Sequence, residues 1–119
     1  MVTRALFDPA VSGVQHLAGA AQSSDHGIVS RTMLDADGIR LTLFTFAAGQ
    51  ELTEHTSSSR ALVQILSGAC EFTLAGRKTP LRAGDLLHLP PGLPHAVLAT
   101  EPFAMLLTLI RPRATGSAA

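Results

Sequence analysis

The chain has 119 residues, a length typical of a single domain. Hydrophobic residues make up 46% of it and charged residues only 15%, which favours a packed core and excludes a disordered chain. Lys plus Arg and Asp plus Glu number nine each, so the net charge is zero. The basic excess of a nucleic-acid-binding domain is absent, and we expect no nucleic-acid partner.

The single cysteine, Cys70, excludes an intrachain disulfide framework and favours a reducing compartment. The apolar stretch of a signal peptide is interrupted near the N-terminus by Asp8, Pro9, Gln15 and His16. No apolar run approaches the roughly 20 residues that a membrane-spanning helix needs. The sequence therefore predicts a cytoplasmic protein with no membrane partner.

The first 26 residues carry little pattern. We predict that residues 1–26 form an N-terminal segment, in which residues 14–21 make either a short helix or an edge strand and residues 22–25 a loop. Residues 27–110 show short strand signals separated by turns. Residues 111–119 have the composition of a flexible tail.

Alternating apolar residues mark the strands. Within residues 39–46, Leu41 and Leu43 share one face, while Phe44 and Phe46 share the other. The whole pattern predicts eight or nine strands, with turns roughly every 8–12 residues and no helix longer than two turns. The strongest strand signals cover residues 28–34, 39–46, 61–66, 70–74, 86–89, 95–98 and 103–110. Such spacing is typical of an all-β sandwich or barrel.

Two segments carry a more specific pattern of glycines, prolines and histidines. In the first, Gly49 is followed after five residues by His55, and then by Ser57, Ala61 and Gly68. The second combines a turn glycine, a stiff proline loop and a histidine, at positions Gly84, Pro90, Gly92 and His95.

These segments resemble the two motifs of the cupin family. The first motif of that family reads Gly, five residues, His-x-His, three or four residues, Glu, six residues, Gly. The second reads Gly, five residues, Pro-x-Gly, two residues, His, three residues, Asn, and it is matched here except that Ala99 stands at the Asn position. The resemblance spans residues 39–110 and implies a small single-domain, RmlC-like cupin with a jelly-roll β-barrel at residues 27–110.

The resemblance also implies where a metal site would lie. The four metal ligands of metal-binding cupins fall on His55, Ser57, Ala61 and His95 in this chain. Ser57 is a poor ligand and Ala61 is none, so the first motif is degenerate. Tight sites usually supply three or four protein ligands. We therefore expect His55 and His95 to hold at most a weakly bound divalent ion (Zn, Ni, Mn or Fe), and no other cofactor.

Other polar residues near the first motif are candidates for a further ligand. Glu51 shares strand parity with His55 and is predicted to point inward, whereas Glu54 and Gln64 have the opposite parity to their inward neighbours. Cys70 is expected to face inward as a packed thiol.

The remaining histidines are predicted to lie outside the site. His88 is expected to point outward, because Leu87 and Leu89 on either side of it are apolar. His16 and His26 fall in the weakly patterned N-terminal segment and are expected to be surface residues.

The preferred function is small-molecule binding in the barrel, with His55, Ser57 and His95 as the polar residues of the pocket. No third orienting group accompanies Ser57 and His55, so no catalytic residue is assigned. Two alternatives stay open: a metal-dependent enzyme of the dioxygenase or isomerase type, and a non-catalytic structural or regulatory module. The high apolar content favours a homodimer in each case. The predicted pocket walls are the phenylalanines together with Ile65, Leu87, Leu89 and Val97.

Overall fold

The computed structural model describes residues 4–21 and 25–112. One short helix, α1, is followed by nine strands, β1 to β9. Their bounds are α1 Leu17–Ala20, β1 Ile28–Ala36, β2 Ile39–Phe46, β3 Glu51–His55, β4 Arg60–Ser67, β5 Ala69–Leu74, β6 Arg77–Arg82, β7 Leu86–Leu89, β8 His95–Leu98 and β9 Phe103–Ile110. The prediction of an all-β fold is confirmed.

The strands form two antiparallel sheets that face each other. The larger sheet has the order β1-β2-β9-β4-β7, and the smaller one has the order β3-β8-β5-β6. Consecutive strands often lie in different sheets or are separated by other strands, as in a jelly roll. The alternation predicted for β2 is observed, because Phe46 and Phe44 pack in the core between the sheets and Leu43 packs on the opposite face.

The main core fills the space between the two sheets. Phe46 is fully buried, and its ring stacks on that of Phe103 with ring centres 4.5 Å apart. Each sheet contributes alternate residues to this core. The buried members are Phe46, Ala61, Val63, Ile65, Cys70, Phe72, Leu89, Val97, Ala99, Phe103 and Met105.

A second, smaller core lies on the outer face of the larger sheet, where the N-terminal segment covers it. Met33 and Leu43 are buried there together with Ala20. The backbone N–H groups of Leu6 and Phe7 donate hydrogen bonds to the carbonyls of Thr32 and Met33, at 3.1 and 2.8 Å. The segment therefore runs along the edge strand β1, and its single turn of helix is α1. The predicted loop falls mostly on residues 22–24, outside the described residues.

Strand β6 carries no clear strand signal in the sequence because it contains Lys78, Pro80 and two arginines. It is the edge strand of the smaller sheet. Proline and charged residues are tolerated at an edge and discourage pairing with another chain. Its partner β5 fixes its position through a continuous register.

The start of the predicted tail is held to the larger sheet. Arg111, placed in the predicted tail, donates its backbone N–H to Gly38 O at 2.8 Å and forms a 2.7 Å ion pair with Asp35. The rest of that tail, residues 113–119, lies outside the described residues. Within the described ranges, no helix is long and apolar enough to cross a membrane.

Candidate ligand pocket

The two predicted site histidines meet at one end of the barrel. His55 ends β3 and His95 begins β8, and the two are direct cross-strand partners. Their ring centres lie 4.3 Å apart in an edge-to-face arrangement. His55 is exposed and His95 is half-buried. The structure thus brings together the two histidines that lie 40 residues apart in the sequence.

A β-bulge turns His55 into the barrel. Leu52 pairs with Val97 and His55 pairs with His95, so β3 has one residue more than β8 between these two pairs. An extra residue reverses the alternation of faces beyond it. Leu52 and His55 consequently both line the interior although their positions differ in parity.

The same bulge makes the prediction for Glu51 wrong. Glu51 pairs with Leu98 before the bulge, and its side chain is exposed instead of pointing into the barrel with His55. The prediction assumes a regular strand, whereas the bulge reverses the face of every residue on one side of it. Glu54 is also exposed, so neither acidic residue of β3 lines the pocket.

Each imidazole is held by its own strand. The Nδ1–H of His55 donates to Thr53 O, and the Nδ1–H of His95 donates to Leu93 O, both at 2.8 Å. A carbonyl oxygen only accepts, so Nδ1 must carry the proton in both rings. In neutral imidazole the lone pair then lies on Nε2. Among the described residues, neither Nε2 has a hydrogen-bond partner.

Two loops frame the pocket mouth and are bonded to each other. The Gly92 N–H donates to Ser57 O at 2.8 Å, which ties the proline loop before His95 to the loop after His55. Gly92 has a φ of 82°, which a residue with a side chain seldom adopts. The Ser57 hydroxyl accepts the N–H of Ser59 at 3.1 Å, so this loop has a defined shape.

The cavity at the mouth has a volume of about 230 Å³. Three polar residues that the sequence predicted, His55, Ser57 and His95, line it. Its other walls are mostly apolar: Ser59, Ala61, Leu89, Pro90, Leu107 and Leu109. A smaller void of about 60 Å³ continues inward from the histidines and is lined by aliphatic and phenylalanine side chains.

The pocket walls differ in part from the prediction. Leu89, Val97 and two phenylalanines line the two cavities, but Ile65 and Leu87 do not. Leu107 and Leu109 take their place, because alternate residues of β9 face the interior. The face of β9 that points toward the histidines could not be predicted from the sequence of β9, because it depends on how β9 pairs with its neighbouring strands.

The site does not fit a tightly held metal ion. Ser57 and Ala61 stand on the pocket wall at the positions implied for two of four ligands. Throughout residues 4–21 and 25–112, no three His, Cys, Asp or Glu side chains lie close enough together to hold an ion. Two imidazoles alone fall short of the three or four protein ligands of tight sites.

Two other candidate residues lie elsewhere. Cys70 is buried at the opposite end of the barrel, where desolvation and the charge of Asp85 raise the pKa of its thiol to about 11. His88 is exposed on the outer side of β7, and its Nε2 accepts a hydrogen bond from Arg60 at 2.7 Å. His16 and His26 are also exposed, and Gln64 points outward.

The fold and the pocket define the class of protein: a two-sheet jelly roll with two histidines at the mouth of the barrel. The family model described as Cupin domain matches residues 42–110, which is more than half of the chain. The chain therefore belongs to the cupin family.

Several solved structures are similar to this one over most of the chain. A conserved protein of unknown function from Streptococcus pyogenes is 30% identical, with a TM-score of 0.81, and the match covers 96% of this chain and 100% of that one. A cupin superfamily protein from Desulfitobacterium hafniense is 26% identical, with a TM-score of 0.77 and coverage of 81% and 88%.

An enzyme shares the fold more distantly. A salicylate 1,2-dioxygenase from Pseudoaminobacter salicylatoxidans is 20% identical, with a TM-score of 0.65, and the match covers 71% of this chain and 26% of that one. This likeness concerns the fold alone. No curated protein matches the chain.

Proposed function

We propose that this cupin binds a small organic molecule in the pocket at the barrel mouth, with His55, Ser57 and His95 as its polar contacts. The observation that carries the proposal is the orientation of the two imidazoles. Both Nδ1–H groups are engaged by backbone carbonyls, so both rings keep an Nε2 acceptor for a molecule in the pocket.

The size and polarity of the pocket narrow the ligand further. A volume of about 230 Å³ is below the roughly 300–1,000 Å³ of pockets for drug-sized ligands. The walls opposite the histidines are leucine side chains. The ligand we propose is therefore a small molecule with an apolar body and a polar end, such as a hydroxyl, that donates a hydrogen bond to Nε2 of His55 or of His95.

Fragment titration followed by NMR tests this proposal. A set of small hydroxylated molecules is added to ¹⁵N-labelled protein. The backbone amides of residues 55–59, and of Leu89, Gly92, Leu93 and His95, are monitored. We expect His55→Ala and His95→Ala to reduce binding by tenfold or more, about 1.4 kcal/mol per tenfold step. His88→Ala, which changes an exposed histidine on the outer face, is the control and should bind like the unmodified protein. Equal binding by all three variants would contradict the proposal.

A second candidate is a metal-dependent enzyme of the dioxygenase or isomerase type. The observation in its favour is the hydrogen bond from each Nδ1–H to a backbone carbonyl, because histidine ligands of metals are commonly held in that way. The ion would be weakly bound, with Zn, Ni, Mn or Fe as candidates and water as the missing ligands. Metal content per chain, measured on protein without a His-tag, tests this candidate: stoichiometric metal that is lost in His55→Ala would support it.

A homodimer and a cytoplasmic location also stay proposals. Ile39 and Ile110 are paired side by side on the outer face of the larger sheet, and each is 38% exposed. An apolar pair of this kind can be covered by a second subunit. Light scattering at several concentrations tests the dimer, since a mass of one chain at all concentrations would contradict it.

A further inference from the structure

Arg40 emerges on the pocket side of the larger sheet, next to the pocket wall. It is the direct cross-strand partner of Leu109, which lines the mouth cavity. Directly opposed residues of antiparallel strands point to the same face, with Cβ atoms roughly 4.5–5.5 Å apart. Arg40 therefore stands one strand beyond the leucine wall, and its long side chain can reach the cavity rim.

The guanidinium of Arg40 has no partner among the described residues. Its natural partner would be Asp35, which lies directly opposite on β1. The Asp35 carboxylate instead accepts a 2.7 Å hydrogen bond from Arg111. Arg40 is therefore left without a carboxylate partner among the described residues. Glu54 on β3 is exposed and lines neither cavity.

We propose that the ligand of the mouth pocket is a carboxylate, with Arg40 binding its charged group while the body of the molecule lies among the leucines. This inference rests on the proposed function, because it names the ligand class of the same pocket. Arginine binds carboxylates through two parallel hydrogen bonds, which give orientation as well as affinity. The free Nε2 atom of His55 or of His95 then accepts a hydrogen bond from a second polar group of the ligand.

A single negative charge fits this rim better than a phosphate does. Only one arginine there is unpaired among the described residues, and the cavity walls beside it are apolar. A phosphate group carries up to two negative charges near pH 7 and would leave one of them without a partner. A carboxylate matches the available charge and loses less solvation on entering the pocket.

Matched fragments test the assignment. Small carboxylates such as 4-hydroxybenzoate are each compared with the amide of the same shape, such as 4-hydroxybenzamide, and with a phosphate ester of similar size. Dissociation constants are measured by NMR titration at low ionic strength. The unmodified protein should bind the carboxylate about tenfold more tightly than the amide, about 1.4 kcal/mol.

The preference should depend on Arg40 alone. In Arg40→Gln, the carboxylate and the amide should bind equally, and Arg40→Lys should keep part of the preference because it keeps the charge but not the paired geometry. Arg82→Gln, an exposed arginine at the opposite end of the barrel, is the matched control and should keep the full preference.

The outcomes separate this inference from the proposed function. If amide and carboxylate bind equally to the unmodified protein, with binding still lost in His55→Ala, the pocket stands and the carboxylate assignment is wrong. A preference that survives in Arg40→Gln, or tighter binding of the phosphate ester, also overturns the assignment. If no fragment of any class binds, the proposed function itself fails, and the assignment with it.

Discussion

His55 and His95 face each other across neighbouring antiparallel strands, with ring centres 4.3 Å apart and the rings edge to face. The pair exists because a β-bulge after Leu52 turns His55 inward. The rings are also held in the same way, each by a hydrogen bond to the carbonyl two residues earlier. The two rings are therefore a matched pair of acceptors that backbone geometry positions.

The first prediction concerns the protonation of this pair in the free protein. Because both Nδ1–H groups donate to carbonyls, both neutral rings should carry the proton on Nδ1 and a lone pair on Nε2. Long-range ¹H–¹⁵N NMR of the imidazoles at alkaline pH distinguishes the two tautomers. A proton on Nε2 of either ring would contradict the hydrogen bonds described here.

The second prediction concerns the missing metal ligands. The double variant Ser57→His, Ala61→Glu supplies the two ligands that the cupin motif lacks in this chain, on the wall of the same cavity. We expect this variant to retain near-stoichiometric divalent metal after dialysis, whereas the unmodified protein does not, since four protein ligands suffice for a tight site. Metal analysis of both proteins checks this.

The rebuilt site has its own control. Adding His95→Ala to the double variant should abolish metal retention, because it removes one of the four ligands. Retention by the unmodified protein at the same level would show that His55 and His95 already have other ligands.

The third prediction concerns Gly68, which links β4 to β5 with a φ of 74°. A Cβ at this position would collide with the carbonyl oxygen of Pro102 and would lie 2.8 Å from the Cα of Phe103. Gly68→Ala should therefore lower the free energy of unfolding by clearly more than the roughly 1–2 kcal/mol of the left-handed conformation itself. Urea unfolding measures the difference.

Gly76 is the matched control for this substitution. Its φ of 85° is similar, but a Cβ there would meet nothing within 4 Å. Gly76→Ala should cost only about 1–2 kcal/mol. Equal losses in the two variants would mean that the contact with Pro102 and Phe103 relaxes without cost.

The fourth prediction concerns Cys70, whose pKa is raised to about 11 mainly by desolvation and also by Asp85. Between pH 9 and 11, the unfolded chain loses the thiol proton while the folded chain keeps it. The unfolded state then binds fewer protons, so the stability falls as the pH rises through this range. In Cys70→Ala this part of the pH dependence should disappear, although the variant is less stable throughout. Chemical unfolding at pH 8 and 10.5 measures both effects.

Much of the fold follows from local signals in the sequence. The alternation in residues 39–46 and the turn glycines predicted an all-β sandwich or barrel, because the period-two pattern places one face of each strand in the core. The jelly-roll barrel itself was implied by the resemblance to the two cupin motifs. Strand β6 gave no such signal, because its charged residues and Pro80 do not alternate with apolar ones. These residues are tolerated because β6 lies at the edge of its sheet, and that position cannot be seen in the local sequence.

The site could be predicted only in part. His55, Ser57 and His95 were identified from the motif spacing, and all three line the mouth cavity. The exposure of Glu51 could not be predicted, because a bulge depends on the pairing of β3 with β8 rather than on the residues of β3 alone. The proximity of Arg40 to the pocket wall could not be predicted for a similar reason, because its cross-strand partner Leu109 is 69 residues away in the chain.

The central claim is that the free Nε2 atoms of His55 and His95 receive the ligand. The most direct measurement records the imidazole ¹⁵N signals while a bound fragment is titrated into the protein. The Nε2 signals of His55 and His95 should shift together and saturate with the same dissociation constant, while those of His88 stay in place. A fragment that occupies the pocket, seen by the amides of Gly92 and Leu93, but leaves both Nε2 signals unchanged would contradict the claim.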